Sequence, residues 1–181
     1  MRIVGGSHKG RKFRAPSSIP ARPTTDFAKE ALFNILQHEI SWPESNMLDL
    51  FAGIGSISLE AASRGAMNVV SIDLNNASIR WINQVCKELD LKCISTVKSD
   101  ALKWLNFNET KFDLVFADPP YDFDNYDKLI DLVLTRTLAS DGIFILEHRR
   151  TTSFAHYDFF LSERKYGEVK FSTFKLKQNE Q

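Results

Sequence analysis

The sequence predicts an α/β domain organised on a doubly wound, mostly parallel sheet. Three observations lead there. Short apolar runs of strand type alternate with longer runs of helical spacing along most of the chain. The first strand is followed by Ala52-Gly53-Ile54-Gly55, a glycine turn that opens directly into a helix. Further on, Phe112-Asp113-Leu114-Val115-Phe116-Ala117 has the composition of a strand buried on both faces, and Asp118-Pro119-Pro120-Tyr121 stops it abruptly.

The elements follow in order. Arg2-Ile3-Val4-Gly5-Gly6 and Gly10-Arg11-Lys12-Phe13-Arg14 are expected to pair as an N-terminal β-hairpin about Ser7-His8-Lys9. Residues 15–23 read as a linker with prolines at 16, 20 and 23, so a basic hairpin-and-linker unit, 1–23, precedes a main domain, 24–181. Thr24-Thr25-Asp26 offers helix caps, and Ala28, Ala31, Leu32, Ile35, Leu36 and Ile40 recur at helical spacing. Residues 46–51 form the first strand of the sheet, 56–64 the helix after the glycine turn, and 69–73 the second strand. Ile79, Ile82, Cys86 and Leu89 mark one face of the next helix, and 94–97 is a third strand. After the central strand come a helix over 124–138 and a strand over 142–147. Residues 159–166 and 169–176 flank Gly167 as an antiparallel hairpin closing the sheet.

Composition narrows the function. At 181 residues, 43% hydrophobic and 25% charged, the chain suits one globular domain. No apolar run approaches the roughly 18 residues of a membrane span and no N-terminal signal segment is visible, so a cytoplasmic protein is expected. Cys86 and Cys93 lack metal-ligand spacing, and no His, Cys and carboxylate cluster suggests a metal. The zero net charge conceals segregation. Residues 1–25 hold Arg2, Lys9, Arg11, Lys12, Arg14 and Arg22 and no acid, whereas the other 156 residues carry 17 basic and 23 acidic groups. A basic arm on an acidic domain points to phosphate, and these six cations are the candidate RNA contacts.

The chemistry is expected at the carboxyl ends of the strands, where open α/β sheets bind ligands. Gly53 and Gly55 let backbone approach a ligand, and Asp73, 20 residues past Gly53, is placed to accept ribose hydroxyls. A dinucleotide turn wants Gly or Ala where Ser58 stands. Asp49, just before the turn, suits an amino-acid ammonium and opposes a pyrophosphate. S-adenosylmethionine is therefore expected over NAD. Asp118 and Tyr121, held by Pro119 and Pro120, provide a carboxylate and a ring on stiff backbone, suited to gripping a flat group that bears an amino function.

These residues carry a resemblance. Leu48-Asp49-Leu50-Phe51-Ala52-Gly53-Ile54-Gly55 resembles motif I of the class I, Rossmann-like methyltransferases, and Asp118-Pro119-Pro120-Tyr121 is similar to the tetrapeptide of those that methylate exocyclic or amide nitrogens. More specifically, four blocks resemble the bacterial 16S rRNA (guanine-N2)-methyltransferase family. They are Arg2-Ile3-Val4-Gly5-Gly6 with Lys9-Gly10-Arg11-Lys12, Arg22-Pro23-Thr24-Thr25-Asp26, Glu30-Ala31-Leu32-Phe33-Asn34-Ile35-Leu36, and Leu59-Glu60-Ala61-Ala62-Ser63-Arg64-Gly65-Ala66. Glu147-His148 and Tyr166-Gly167 extend the match over nearly the whole chain. Phe27-Ala28-Lys29 departs from it, since the family usually has an arginine soon after Thr-Thr-Asp.

The resemblance implies a seven-stranded sheet of order 3-2-1-4-5-7-6 with strand 7 antiparallel. It also implies methyl transfer from S-adenosylmethionine to guanine N2 in 16S rRNA, either free RNA or RNA within the small subunit or an assembly intermediate, by a monomer. By the same carry-over, Gly53 and Gly55 border the donor's amino-acid moiety with Asp49 near its ammonium, Asp73 takes its ribose hydroxyls, and Asp100 with Ala101 meets its adenine amino group; Phe51 and Leu74 are further donor-binding candidates. Asp118, Pro119, Pro120 and Tyr121 form the catalytic corner. The alternatives are an adenine-N6 DNA methyltransferase, which uses the same tetrapeptide but usually carries a separate recognition domain, and a non-catalytic RNA-binding subunit.

Overall fold

The middle of the sheet is set by two largely buried strands, β1 (Asn46–Leu50) and β4 (Phe112–Ala117), which pair in parallel. The computed structural model describes residues 1–19 and 25–176. Around the central pair the described chain builds a seven-stranded sheet with β2 (Asn68–Asp73), β3 (Ile94–Lys98), β5 (Leu138–Arg149), β6 (Phe160–Tyr166) and β7 (Val169–Lys175). The order is 3-2-1-4-5-7-6, and β7 runs antiparallel to both β5 and β6. Helices α1 (Asp26–Leu36), α2 (Ser56–Ser63), α3 (Asn76–Leu89), α4 (Ala101–Phe107) and α5 (Tyr126–Leu132) cover the faces.

Alternation along the central strands divides the core in two. Leu48, Leu50, Val115, Phe144 and Leu146 pack with Leu105 of α4 and Leu129 and Ile130 of α5. Met47, Leu114, Phe116, Ile143 and Ile145 pack with Leu32 and Phe33 of α1 and Ala61 of α2. Both sets are buried, as a parallel sheet covered on both faces requires.

The N-terminal residues dock rather than project. Arg2 and Lys12 form an isolated antiparallel bridge, so the expected hairpin is present as a reversal without extended strands. Its backbone is held by α2: Glu60 accepts a 2.8 Å bond from the Val4 N–H, Ser63 Oγ donates to Gly5 O at 2.7 Å, and Ser7 N–H donates to Ser63 O at 2.7 Å. Arg64 in turn bonds Glu60 at 2.9 Å. Ile3 and Ile19 are buried with Leu59 of α2 and Trp81, Ile82 and Val85 of α3. Lys29, fully buried, donates from Nζ to Arg2 O at 2.6 Å and to Ser56 Oγ at 3.0 Å, and burial lowers its pKa. Linker residues 20–24, including Pro20, Arg22, Pro23 and Thr24, lie outside the described residues; Thr25 supplies the N-cap of α1, accepting from Ala28 N–H.

Several boundaries differ from those read in the sequence. The helix expected over 124–138 spans Tyr126–Leu132 and loosens into a π-helical turn, Val133–Thr137. Three of those five residues are β-branched, and Thr135 Oγ1 donates to Asp131 O, which competes with the helical ladder. Leu138 then pairs with Phe112 and starts β5 four residues early. Helix α4 went unread because Leu102, Trp104 and Leu105 sit in a segment too short for helical periodicity to separate from loop. The first helix ends at Leu36 rather than near Ile40.

Gly6 is the tightest point of the docked reversal. Its φ is +73°, and a Cβ there would lie 1.8 Å from Ser63 O. Gly6→Ala is expected to lift the N-terminal residues off α2 and destabilise the protein by about 2 kcal/mol. Urea unfolding measures the loss, and faster proteolysis before residue 20 locates it.

Candidate active site

A cavity of about 1300 Å³ runs along the carboxyl edge of the parallel strands. Its first half lies over β1, β2 and β3, with Gly53, Asp73, Leu74, Asp100 and Ala101 in the wall. Its second half lies over β4, β5 and β7, with Asp118, Pro119, Pro120, Tyr121, Glu147 and the 166–169 turn. Asp49 and Phe51 also line it. Gly55 does not. A Cβ at Gly55 would meet Ile82 Cγ1 at 2.8 Å, so this glycine, at φ +72°, lets α2 start against α3.

The first half is fixed by backbone. Asp73 Oδ2 accepts from Gly53 N–H at 2.7 Å and Oδ1 from Asn75 N–H at 2.7 Å, which clamps the end of β2 to the glycine turn and leaves each oxygen further acceptor capacity. Asp100 Oδ1 caps α4 through Lys103 N–H at 2.9 Å. Asp49 is buried, and Oδ2 accepts from both the N–H and the hydroxyl of Ser58. Burial drives its pKa up to about 7, against the pull of those two bonds.

The second half is fixed by strand ends and aromatic rings. Ala117 pairs with Leu50 on one side and Leu146 on the other, so Asp118 stands between the end of β1 and the flank of β5, and its N–H approaches Leu50 O at 3.4 Å. Burial first, then the carboxylates of Glu147 and Asp49, raise the Asp118 pKa well above the ordinary range. Phe51 takes φ +64°, uncommon for a bulky residue, and packs edge-on against Phe123 at 5.4 Å; Phe123 meets Tyr126 at 5.2 Å. This ladder ties the turn after β1 to the loop after β4. The Tyr121 ring is 46% exposed and lies beneath the Arg149 guanidinium at 4.5 Å.

Sequence reasoning missed several wall residues. Glu147 was visible only as part of a block of resemblance. Phe27 (74% exposed) and Tyr166 meet edge-on at 6.2 Å on the rim, and nothing in their spacing announced this. Arg149 and Phe123 needed the fold. Among the candidate RNA contacts, Arg2 pairs with Asp26 at 3.2 Å and Arg11 with Glu88 at 2.9 Å. Lys9, Lys12 and Arg14 are exposed, and Arg22 is outside the described residues. Among the described residues, no group of three or more His, Cys, Asp or Glu side chains is arranged to hold a metal ion, and no helix is long and apolar enough to cross a membrane.

Comparison with known proteins places the chain. Residues 1–175 match the family model described as Conserved hypothetical protein 95. The chain belongs to that family. Ribosomal RNA small subunit methyltransferase D of Escherichia coli K12 is 35% identical over 145 residues, covering 80% of this chain and 72% of the relative. Its counterpart of the same name in Haemophilus influenzae is 39% identical over 140 residues, covering 74% and 70%. Among solved structures, "Putative methyltransferase yhhF from Escherichia coli" superposes with a TM-score of 0.85 at 28% identity, over 98% of this chain and 99% of that one.

The raised carboxyls make stability depend on pH. Asp49 and Asp118 hold protons more tightly in the folded chain than in the unfolded one. Between about pH 4 and pH 7 the folded state therefore binds more protons, and stability falls as pH rises. Asp49 contributes at most about 4 kcal/mol across that window. Thermal melts of the ligand-free protein should show the decline, and Asp49→Asn should remove much of the slope.

Proposed function

We propose that the protein transfers a methyl group from S-adenosylmethionine to the exocyclic N2 of a guanine in small-subunit (16S) rRNA. One observation carries the reading. The corner Asp118-Pro119-Pro120-Tyr121 opens into the same cavity as the Asp49, Gly53, Asp73 and Asp100 set, so an amino-bearing base and a nucleoside-bearing donor have adjoining places. The names of the relatives support rRNA of the small subunit as the acceptor.

The residues fit the donor chemically. Asp49 is a buried carboxyl whose ionised form needs a cationic partner, and an α-ammonium supplies one. Asp73, its oxygens already oriented by Gly53 and Asn75, accepts the two ribose hydroxyls. Asp100 and Ala101 bound the adenine, with Leu74 beside it. When bound, S-adenosylmethionine supplies a methyl group on a positively charged sulfur.

The chain's part is to present a poor nucleophile. The guanine N2 lone pair is delocalised into the ring. Asp118 and the Pro119 carbonyl accept hydrogen bonds from the amino group, draw the nitrogen toward tetrahedral geometry and stabilise the positive charge that develops on it. The two prolines remove backbone freedom, so the acceptors are already in place. Tyr121 stacks on the base, worth roughly 1–3 kcal/mol. The target is unstacked or in a loop, because its exocyclic edge is out of reach inside a helix. Lys9, Lys12 and Arg14 hold phosphates.

Labelled methyl transfer to 16S rRNA from a methylation-deficient strain, followed by nucleoside analysis, tests the reaction; N2-methylguanosine is expected, and any other nucleoside overturns the assignment. Asp118→Ala is expected to reduce turnover at least about a thousandfold while donor affinity, measured by calorimetry, changes less than about threefold. Replacing Lys9, Lys12 and Arg14 by alanine should lower the salt slope of RNA binding by about 2, measured by filter binding across a salt series.

A further inference from the structure

Glu147 is a second acid at the acceptor end of the cavity, and the reaction proposed above gives it no task. It is 5% exposed and lines the cavity together with Asp118. The sheet puts the two acids side by side. Ala117 on β4 pairs with Leu146 on β5, so Asp118, just past the end of β4, and Glu147, still inside β5, lie side by side at the same level. Such strands lie about 4.8 Å apart. Phe171 of β7 pairs with Glu147 on the other side, and its ring meets Phe116 at 6.2 Å, which makes that flank apolar. Glu147 also contributes to raising the proton affinity of Asp118, so the two carboxyls are close enough to feel each other's charge.

We propose that Glu147 is the residue that selects guanine, accepting a hydrogen bond from the base N1–H while Asp118 accepts from the adjoining N2 amino group. This rests on the guanine-N2 reading above. The physical basis is the pattern of the base edge. Guanine presents two donors next to each other, N1–H and N2–H, to which two acceptors on adjacent strands are complementary. Adenine presents an unprotonated N1 beside its amino group, and that lone pair would face a carboxylate in a water-poor wall. A site that discriminates in this way combines a gained bond with a repulsion, and such sites reject the analogue more strongly than a merely well-shaped pocket does.

The test replaces the methylated guanine by 2-aminopurine in an RNA fragment spanning the mapped site. 2-Aminopurine keeps the exocyclic amino group and lacks N1–H. Wild-type enzyme is expected to prefer guanine by at least about a hundredfold in kcat/KM. Glu147→Gln, whose amide can donate to an unprotonated N1, should narrow that gap at least about tenfold, and Glu147→Asp, which keeps the carboxylate, should preserve most of it. Because 2-aminopurine also lacks the 6-oxygen, the narrowing in Glu147→Gln assigns the discrimination to N1. Calorimetry with S-adenosylmethionine accompanies each variant, and donor affinity within threefold of wild type separates base reading from a folding defect. A wild-type gap below threefold overturns the proposal without recourse to any variant, and an unchanged gap in a donor-binding Glu147→Gln overturns it too. Failure of the wild type to methylate guanine N2 in unmodified RNA overturns the underlying reaction instead, so the two failures are distinct.

Discussion

Three carboxyl groups crowd one edge of the sheet, Asp49 and Glu147 buried and Asp118 half-buried, and the rest of the site is arranged around that fact. Burying carboxylates among apolar strands is costly unless hydrogen bonds or positive charge compensate. Ser58 compensates Asp49 in part. The remainder appears as raised proton affinity at Asp49 and Asp118, a free-energy reserve that a cationic or donor-rich ligand releases on binding. That reserve is a property of the scaffold itself, set by which strands lie side by side.

Strand order is what brings the acids together. Residues 49, 118 and 147 are far apart in sequence and adjacent only because β1, β4 and β5 are neighbours in parallel register. The order was legible as an implication of resemblance, and the individual strands from their apolar runs. Asp49, Gly53, Asp73 and Asp100 could be expected along one edge because each lies at or near the carboxyl end of a strand, where position along the chain and position in the fold coincide. Gly55 shows where that logic stops: both glycines of the turn look alike in sequence, yet one faces the cavity and the other the α3 side chains. The places of Phe27, Phe123, Arg149 and Tyr166 at the rim could not be read from spacing, although Tyr166 belongs to a block of resemblance. They come from contacts between elements distant in the chain, for which the sequence carries no period.

The basic N-terminal segment illustrates a second limit. Charge counting treats all six cations alike. In the structure Arg2 and Arg11 meet carboxylates, while the backbone between them is fastened by Glu60 and Ser63. The blocks of resemblance on either side of that contact, one around Gly5 and Gly6 and one around Glu60 to Arg64, are two halves of a single docking surface. Lys29 belongs to it as well, because its ammonium is buried against Arg2 O and Ser56 Oγ instead of facing a phosphate. A cation close to a basic stretch can be a rivet.

The antiparallel β7 has a consequence for assembly of the fold. It sits between β5 and β6, so β6 has no other strand to pair with and joins the sheet only through β7. β6 therefore cannot join the five-stranded parallel layer before β7 does. The turn between them, residues 166–169, also lines the cavity. Without the hairpin, the outer edge of β5 would be bare and the cavity over β4 and β5 would lack one wall. The strand laid in the opposite sense thus covers an edge and bounds the cavity at once.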